Sequence, residues 1–211
     1  LRDVTFDSNN TGVAPATAAP GNGGALHITG AGSVNIFGGA VVNNVAASEG
    51  GGLWNGSGTM QVFNTNISGN TAKRADALEK EHGLERIDRL PPTAWAQTPL
   101  SGSATSGSGG GIFSVDGRVV VQNSRIDGNI ANRAGGGIEL IDGDFNLYHS
   151  RLINNVAGPN GTAAPGNGGG LHVSGKSAQV NVIGGIVEQN FAAREGGGLW
   201  NQAGSTMNVL A

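Results

Sequence analysis

The chain contains no cysteine, and only 13% of its residues are charged. The absence of cysteine excludes disulfide bonds and zinc–thiolate sites. A formal net charge of −3 provides no basic surface for nucleic acid or for an anionic membrane. No apolar run approaches the length of about 20 residues that a membrane-spanning helix needs. Aromatic residues make up only 5% of the chain, so we expect a core of aliphatic side chains.

Glycine is abundant instead, at 39 of 211 residues. No Gly-X-Y period runs through the chain, which excludes a collagen-like structure. Apolar residues recur in order between the glycines, which argues against simple disorder. The first residue, Leu1, and the last, Ala211, both fall inside repeat units. We therefore expect the chain to be one segment of a longer repeat protein.

One short motif recurs along the chain: an apolar residue, two variable residues, Asn, any residue, and then Ala or Thr. The asparagines of its six copies are Asn9, Asn44, Asn70, Asn129, Asn155 and Asn190. If the copies stack, each side-chain amide can bond to the next and satisfy buried polar groups. The motif therefore predicts an asparagine ladder. We also expect these asparagines to adopt the left-handed conformation, which Asn tolerates.

A second motif, Gly-Gly-Gly or Gly-Gly-Ala followed by Leu or Ile, comes after each copy of the first. Two runs of alternating apolar residues follow it, separated by a turn such as Asp116-Gly117. Period-two alternation between turns predicts short β-strands. An uninterrupted unit is short, since 26 residues separate Ile112 from Ile138 and 28 separate Leu171 from Leu199.

A unit of this length cannot bury its apolar face alone. Stacking the units about 4.8 Å apart solves this, because each strand then pairs with its copies above and below. Parallel coiling should be right-handed by the crossover rule. The sequence therefore predicts an all-β fold, a right-handed parallel β-helix of about six coils. The predicted core consists of Leu26, Ile28, Leu53, Val62, Ile67, Ile112, Val121, Ile126, Ile138, Leu147, Leu152, Leu171, Val182, Val187 and Leu199.

Insertions are predicted at one corner of every second coil, because the distance from each ladder Asn to the next glycine motif alternates between short and long. The largest, residues 73–108, is predicted to contain short helices over residues 74–82 and 84–90 and a loop rich in Ser and Gly. A solvated decoration of the rod is the favoured interpretation of this insertion, and a docking arm for a partner is the alternative.

A longer duplication is superimposed on the short repeat. Residues 21–27 return as residues 166–172 with one substitution, and residues 49–55 return unchanged as residues 195–201. The duplication indicates that a block of several coils is itself repeated.

The paired motifs have a known counterpart. Phe6-Asp7-Ser8-Asn9, followed by Gly23-Gly24-Ala25-Leu26, has the pattern F-x-x-N and then G-G-A-[ILV]. This pairing resembles the repeats of the chlamydial polymorphic outer-membrane-protein family, and the resemblance covers nearly all the chain outside residues 73–108. It implies an exported bacterial protein at the cell surface or outside the cell, an adhesin or autotransporter-like passenger.

The residues that directly follow the post-glycine apolar residues form one column along the rod, which is a candidate contact face. Strand alternation directs the residue after each post-glycine apolar position away from the core. Aromatic side chains in such a row can stack on sugar rings or anchor a protein partner. The favoured alternative is that the insertions fold over this face and bury it, since large exposed apolar patches are uncommon. The column consists of His27, Trp54, Phe113, Glu139, His172 and Trp200.

Acidic residues at one turn raise the alternative of an enzyme, because parallel β-helices of the pectin-lyase-like class include polysaccharide lyases and glycoside hydrolases. Hydrolysis needs two carboxylates at a defined separation, and Glu139, Asp142, Asp144 and Asp116 are the candidates. Asp before Gly is, however, ordinary turn chemistry. We therefore expect no catalytic residue, metal or cofactor.

The sequence favours an extracellular structural or adhesive module of a larger surface protein or fibre. The alternative is a polysaccharide-degrading enzyme centred on Glu139, Asp142 and Asp116. Unpaired strand edges at the ends of a β-helix invite association. The expected partners are therefore further coils of the same polypeptide, or copies of the chain stacked end to end. A glycan or a surface protein is the expected partner along the rod.

Overall fold

The computed structural model describes residues 1–11, 21–73, 107–159 and 166–211. All regular structure within these ranges is β-strand, arranged in three parallel sheets of ten, six and five strands. The strands cycle through the three sheets in sequence order, so the chain winds as a right-handed parallel β-helix, as predicted. Among the described residues, no helix is long and apolar enough to cross a membrane.

The six-stranded sheet opens each coil, directly after the glycine motif. Its strands run in register along the rod, so that Leu53, Ile112 and Ile138 occupy one interior position. In order, they are β2 (Leu26–Ile28), β6 (Leu53–Asn55), β10 (Ile112–Val115), β14 (Ile138–Ile141), β17 (Leu171–Val173) and β20 (Leu199–Asn201).

The ten-stranded sheet follows in each coil and has two halves. The first half contains β3 (Ser33–Phe37), β7 (Thr59–Phe63), β11 (Arg118–Gln122) and β21 (Thr206–Leu210). The second contains β1 (Thr5–Asp7), β4 (Ala40–Val42), β8 (Asn66–Ser68) and β12 (Arg125–Asp127). Two longer strands, β15 (Asp144–Ile153) and β18 (Gln179–Glu188), run through both halves.

The five-stranded sheet completes each coil, because each of its strands begins directly after a ladder asparagine. Each of its strands has two residues, and the second is the Ala of the first motif. The strands are β5 (Val45–Ala46), β9 (Thr71–Ala72), β13 (Ile130–Ala131), β16 (Val156–Ala157) and β19 (Phe191–Ala192). The alanines of β5, β9, β13 and β16 are fully buried, which fits the narrow interior at this corner.

The predicted core is confirmed. Its members in the central coils are buried, whereas Leu26, Ile28, Val187 and Leu199, in the outer coils, pack against the core and are half-buried. Phe145 and Met60 add larger side chains to the same core. Fully burying an aliphatic or aromatic side chain contributes about 1.5–3 kcal/mol, so this continuous stack is the main source of the rod's stability.

The glycine motifs lie where adjacent coils approach most closely. The first glycine of each motif has a positive φ, as at Gly50 (63°) and Gly109 (67°). The middle glycine leaves no room for a side chain, since a Cβ on Gly110 would clash with the carbonyl oxygen of Gly136. Glycine is therefore required for a turn at the first position of the motif and for a close backbone approach at the second.

The insertions leave and rejoin the rod at one corner. Thr11, Lys73 and Gly158, which precede the three insertions, each donate a backbone hydrogen bond to the five-stranded sheet of a neighbouring coil. The residues that follow the insertions, Gly21, Gly107 and Gly166, lie in one column two coils apart. Backbone hydrogen bonds link them through Ser48 and Arg133 of the intervening coils. The insertions themselves lie outside the described residues, and so do the helices predicted over residues 74–82 and 84–90.

Candidate functional site

All six predicted asparagines form one hydrogen-bonded ladder. The side-chain amide and the backbone N–H of Asn44 both donate to Oδ1 of Asn70, at 2.9 and 3.0 Å. Asn70 donates in the same way to Asn129, and Asn129 to Asn155. These four side chains are fully buried, and Asn9 and Asn190 continue the ladder at its two ends.

Each of the four buried ladder amides joins three coils rather than two. Nδ2 of Asn129 donates to Oδ1 of Asn155 on one side and to the carbonyl of Ile67 on the other, both at 3.0 Å. The expectation that these asparagines are left-handed was wrong. The residue before each of them has the positive φ instead, as at Asn43 (55°) and Asn154 (54°). The chain thus turns one residue earlier, which leaves the following Asn pointing into the interior.

The outward column predicted on the six-stranded sheet is present as a single register position. The ring centroids of His27 and Trp54 are 4.2 Å apart, and those of Trp54 and Phe113 are 6.3 Å apart. His172 and Trp200 stack with centroids 4.4 Å apart. Glu139 lies between the two stacks and interrupts them.

Burial divides this column. Phe113 and Glu139 have no exposed surface, and His172 is 1% exposed. Trp54 and Trp200 are half-buried, and His27 is exposed. The centre of the column is therefore buried. Within the column, only His27, Trp54 and Trp200 have surface that a partner could contact.

The duplicated sequence blocks form the same four-residue cluster twice. In the first, Glu49 accepts hydrogen bonds from Nε1 of Trp54 at 3.1 Å and from Nδ2 of Asn22 at 3.1 Å, and His27 stacks on the indole. In the second, Glu195 accepts from Trp200 at 3.0 Å and from Asn167 at 3.3 Å, and His172 stacks on Trp200. The duplication thus conserves a side-chain arrangement as well as a fold.

Glu139 and His172 form a buried pair. Oε2 of Glu139 lies 2.8 Å from Nδ1 of His172, and Oε1 accepts a hydrogen bond from Oγ of Ser174 at 2.7 Å. Nε2 of His172 is buried and has no hydrogen-bond partner among the described residues. Both carboxyl oxygens of Glu139 are therefore engaged inside the protein.

The aspartates proposed for catalysis occupy turns. Asp116 and Asp142 have positive φ values of 55° and 54° at equivalent turns of adjacent coils, and Asp144 is exposed at the start of β15. Oδ1 of Asp142 accepts hydrogen bonds from the backbone N–H and the hydroxyl of Ser177, both at 2.8 Å. These bonds lower the pKa of Asp142 below its usual value. Asp142 therefore ties its own turn to that of the next coil.

A polar groove, which the sequence reasoning missed, lies at the junction between the halves of the ten-stranded sheet. It has a volume of about 300 Å³ and spans three coils. A residue with positive φ marks this junction in every coil, but its type changes from Asp3 and Gly38 to Asn64, Asn123 and His149. The spacing to the ladder could have revealed this junction, because Asn64 precedes Asn70 by six residues and Asn123 precedes Asn129 by the same number.

The floor of the groove is a second hydrogen-bonded ladder. The backbone N–H of Thr65 donates to Oγ of Ser124, and that of Ser124 donates to Oγ of Ser150, both at 3.1 Å. The hydroxyls of Ser124 and Ser150 donate in turn to carbonyls two residues earlier in the chain, at 2.8 Å. The groove therefore rests on a fixed backbone, which holds its outer side chains at the spacing of the coils.

Comparison with models of known protein families, with curated proteins and with solved structures finds no match to this chain. Its class consequently follows from its own geometry, which is that of a parallel β-helix with an internal asparagine ladder. In the part of the chain that the structure describes, no group of three or more His, Asp or Glu residues is placed to hold a metal ion.

Proposed function

We propose that the chain is a non-catalytic module of an extracellular bacterial surface protein or fibre, with a structural or adhesive role. The observation that carries the proposal is the buried asparagine ladder beside a continuous apolar stack. The recurring residues of every coil serve to join that coil to its neighbours. Proteins built in this way present long surfaces whose contacts are distributed along the rod.

The proposed location rests on the sequence. The resemblance of Phe6 to Asn9 and Gly23 to Leu26 to the chlamydial surface-protein repeats supports an adhesin or an autotransporter-like passenger. Immunogold labelling of intact source cells tests it, with gold expected at the cell surface or on extracellular fibres. Labelling restricted to the cytoplasm would contradict the proposed location.

The absence of catalysis is supported by how the candidate carboxylates are used. Both oxygens of Glu139 are occupied inside the protein, and Asp142 is bonded to Ser177 of the next coil. A general acid or base must instead reach the reacting atoms of a bound substrate. Asp116, at a surface turn, has neither Glu139 nor Asp142 as a hydrogen-bonded partner.

The proposed partners are coils and surface ligands. At the last coil, Phe191, Val209 and Leu210 are 55%, 59% and 57% exposed. Such side chains favour stacking against another coil, either of the same polypeptide or of a second copy. Along the rod, the accessible parts of the column at Trp54 and Trp200 suit a glycan or a surface protein.

One incubation distinguishes this proposal from its alternative, a polysaccharide lyase or glycoside hydrolase of the pectin-lyase-like class. The protein is mixed with acidic and neutral polysaccharides, with and without calcium, and reducing ends and unsaturated products are followed. No turnover is expected. Turnover that disappears in Asp142→Asn would establish the enzyme instead. Binding without turnover that weakens in Trp54→Ala would support an adhesive role for the column.

A further inference from the structure

Two arginines stand one above the other at the rim of the polar groove. Arg125 of β12 and Arg151 of β15 are register partners, so their Cα atoms are separated by one strand spacing of about 4.8 Å. Their side chains are 44% and 47% exposed. Like charges this close repel each other, and an anionic ligand placed between them would relieve the repulsion.

Carboxylates outside the groove hold both guanidinium groups. Nε and Nη2 of Arg125 donate to Asp127 at 3.1 and 2.7 Å, and Nη2 of Arg151 donates to Glu188 at 3.2 Å. Neither Asp127 nor Glu188 lines the groove, and no lining residue is acidic. Each arginine therefore keeps N–H groups that donate to no described residue. Arginine suits such a site because its planar group binds carboxylate or sulfate with two donors.

The rest of the lining is polar and repeats from coil to coil. Asn64, Asn123 and His149 occupy one register position on three successive coils and are exposed. Oδ1 of Asn66 is a buried acceptor without a hydrogen-bond donor, whereas its Nδ2 donates to Ser68. Amide and imidazole groups offer donors and acceptors to hydroxyl groups, and here they recur about every 4.8 Å along the rod.

Glycine pairs bound the groove along the rod axis. Gly38 and Gly39 occupy the junction one coil below Asn64, and Gly184 and Gly185 occupy it one coil above His149. The carboxyl group of Asp3 lies over Gly38 and the ring of His149 lies over Gly184, so the groove is confined to the three polar coils. A volume of about 300 Å³ is at the lower end of ligand pockets. This size suits a short stretch of a longer polymer.

From these features, we propose that the groove lined by Asn64, Asn66, Asn123, Arg125, His149 and Arg151 binds an extended anionic saccharide. The carboxylate or sulfate groups of the saccharide pair with the two arginines, and its hydroxyls bond to the asparagines and the histidine. The inference rests on the proposed adhesive role and names the ligand class for this one surface.

Calorimetric titration of the full chain tests the inference at low ionic strength. The probes are a galacturonate hexamer, a heparin-derived hexasaccharide and, as the neutral control, maltohexaose. At least one anionic probe is expected to bind, with affinity that falls as salt is added, and the neutral probe is not. Binding of the galacturonate alone would identify carboxylate as the anionic group, and binding of the heparin fragment alone would identify sulfate.

Variants locate the binding. Arg151→Gln and Arg125→Gln are each expected to weaken the affinity at least ten-fold, as is Asn123→Asp, which adds a repelling charge in a conformation that Asp tolerates. Arg118→Gln is the matched control, because Arg118 is exposed on the same sheet outside the groove. Circular dichroism and thermal unfolding check that each variant is folded.

Several results would overturn the inference. They are the absence of binding by both anionic probes, equal binding of maltohexaose, and affinity that is unchanged in folded Arg151→Gln and Asn123→Asp. None of these results bears on the surface labelling or on the Trp54→Ala measurement, neither of which involves the groove. Failure of the groove inference is therefore distinguishable from failure of the proposed function.

Discussion

At the scale of single residues, the buried ladder asparagines link the coils, because each of their amides bonds to groups on both neighbouring coils. Replacing Asn129 with Ala removes the side-chain oxygen that accepts from the backbone N–H and Nδ2 of Asn70. It also removes the amide that donates to Oδ1 of Asn155 and to the carbonyl of Ile67. Asn129→Ala is expected to lower the free energy of unfolding by about 1–3 kcal/mol. Urea denaturation followed by circular dichroism measures the change.

The control for this substitution is Asn208→Ala. Asn208 also donates to another asparagine, Asn181, at 2.9 Å, but it is exposed. A surface change of this kind is expected to alter stability by less than about 0.5 kcal/mol. If the two substitutions lowered the free energy of unfolding equally, burial would not be the reason that the ladder stabilises the rod.

Asp142 gives the rod a dependence on pH. Its hydrogen bonds from Ser177 lower the pKa of the carboxyl in the folded chain below the usual value of 3.8. The stabilisation is therefore fully present above pH 3.8 and is lost as the pH falls through the lowered folded pKa. Asp142→Asn should unfold at a lower temperature than the wild type at pH 7, and the difference should shrink below pH 3.8.

Thermal unfolding from pH 7 to pH 2.5 follows this difference, and Ser177→Ala provides the matched background. In that background, Asp142→Asn should have a smaller further effect, because the hydroxyl donor is gone while the backbone N–H of residue 177 still donates to Oδ1 of Asp142. A difference that stays constant through the acid range would assign the effect to something other than the charge of Asp142.

At the scale of the element, the middle glycine of each motif sets how closely two coils can pack. A methyl group on Gly110 meets the carbonyl of Gly136, and the coils must separate to admit it. Gly110→Ala is expected to lower the free energy of unfolding by about 1–3 kcal/mol, the usual cost of overpacking. Equilibrium unfolding in urea measures it.

Gly197 is the matched position in the last described coil. A Cβ there has the carbonyl oxygen of Asn190 as its nearest atom, at 3.1 Å, and meets no other glycine motif. Gly197→Ala should therefore cost less than half as much as Gly110→Ala. If the two cost the same, the loss would come from backbone conformation rather than from contact between coils.

The elements show how far the sequence predicts this fold. The ladder and the core were predicted because one residue type recurs at one position, as with Asn70 and Asn129 or Ile112 and Ile138. The groove was missed because the residues at its junction share a positive φ rather than a chemistry. Gly38, Asn64 and His149 are different residue types, and only their position, six residues before a ladder Asn, is common to them. Burial of the outward column was the favoured expectation, but alternation gives only the direction of a side chain and could not show that burial would be confined to Phe113, Glu139 and His172.

At the scale of the whole molecule, stability should be graded along the rod, because a coil in the middle is supported on two sides and an end coil on one. Hydrogen exchange followed by mass spectrometry should find the slowest amides in β12 and β15. The fastest should be in β1 and β21, which belong to the outermost coils of the described chain. Uniform protection from end to end would indicate that the rod opens as a single unit.

Longer loops at the corner that carries the insertions should cost little stability, because the entropy of closing a loop changes slowly with its length. Ladder partners are 26 residues apart between Asn129 and Asn155, but 59 apart between Asn70 and Asn129, where the largest insertion intervenes. Each doubling of loop length costs only about 0.6 kcal/mol, so this added length changes stability little. A flexible segment of about ten residues, inserted between Asn132 and Arg133, should therefore cost less than about 1 kcal/mol. This corner would accept a foreign sequence while the coils beneath it keep their register.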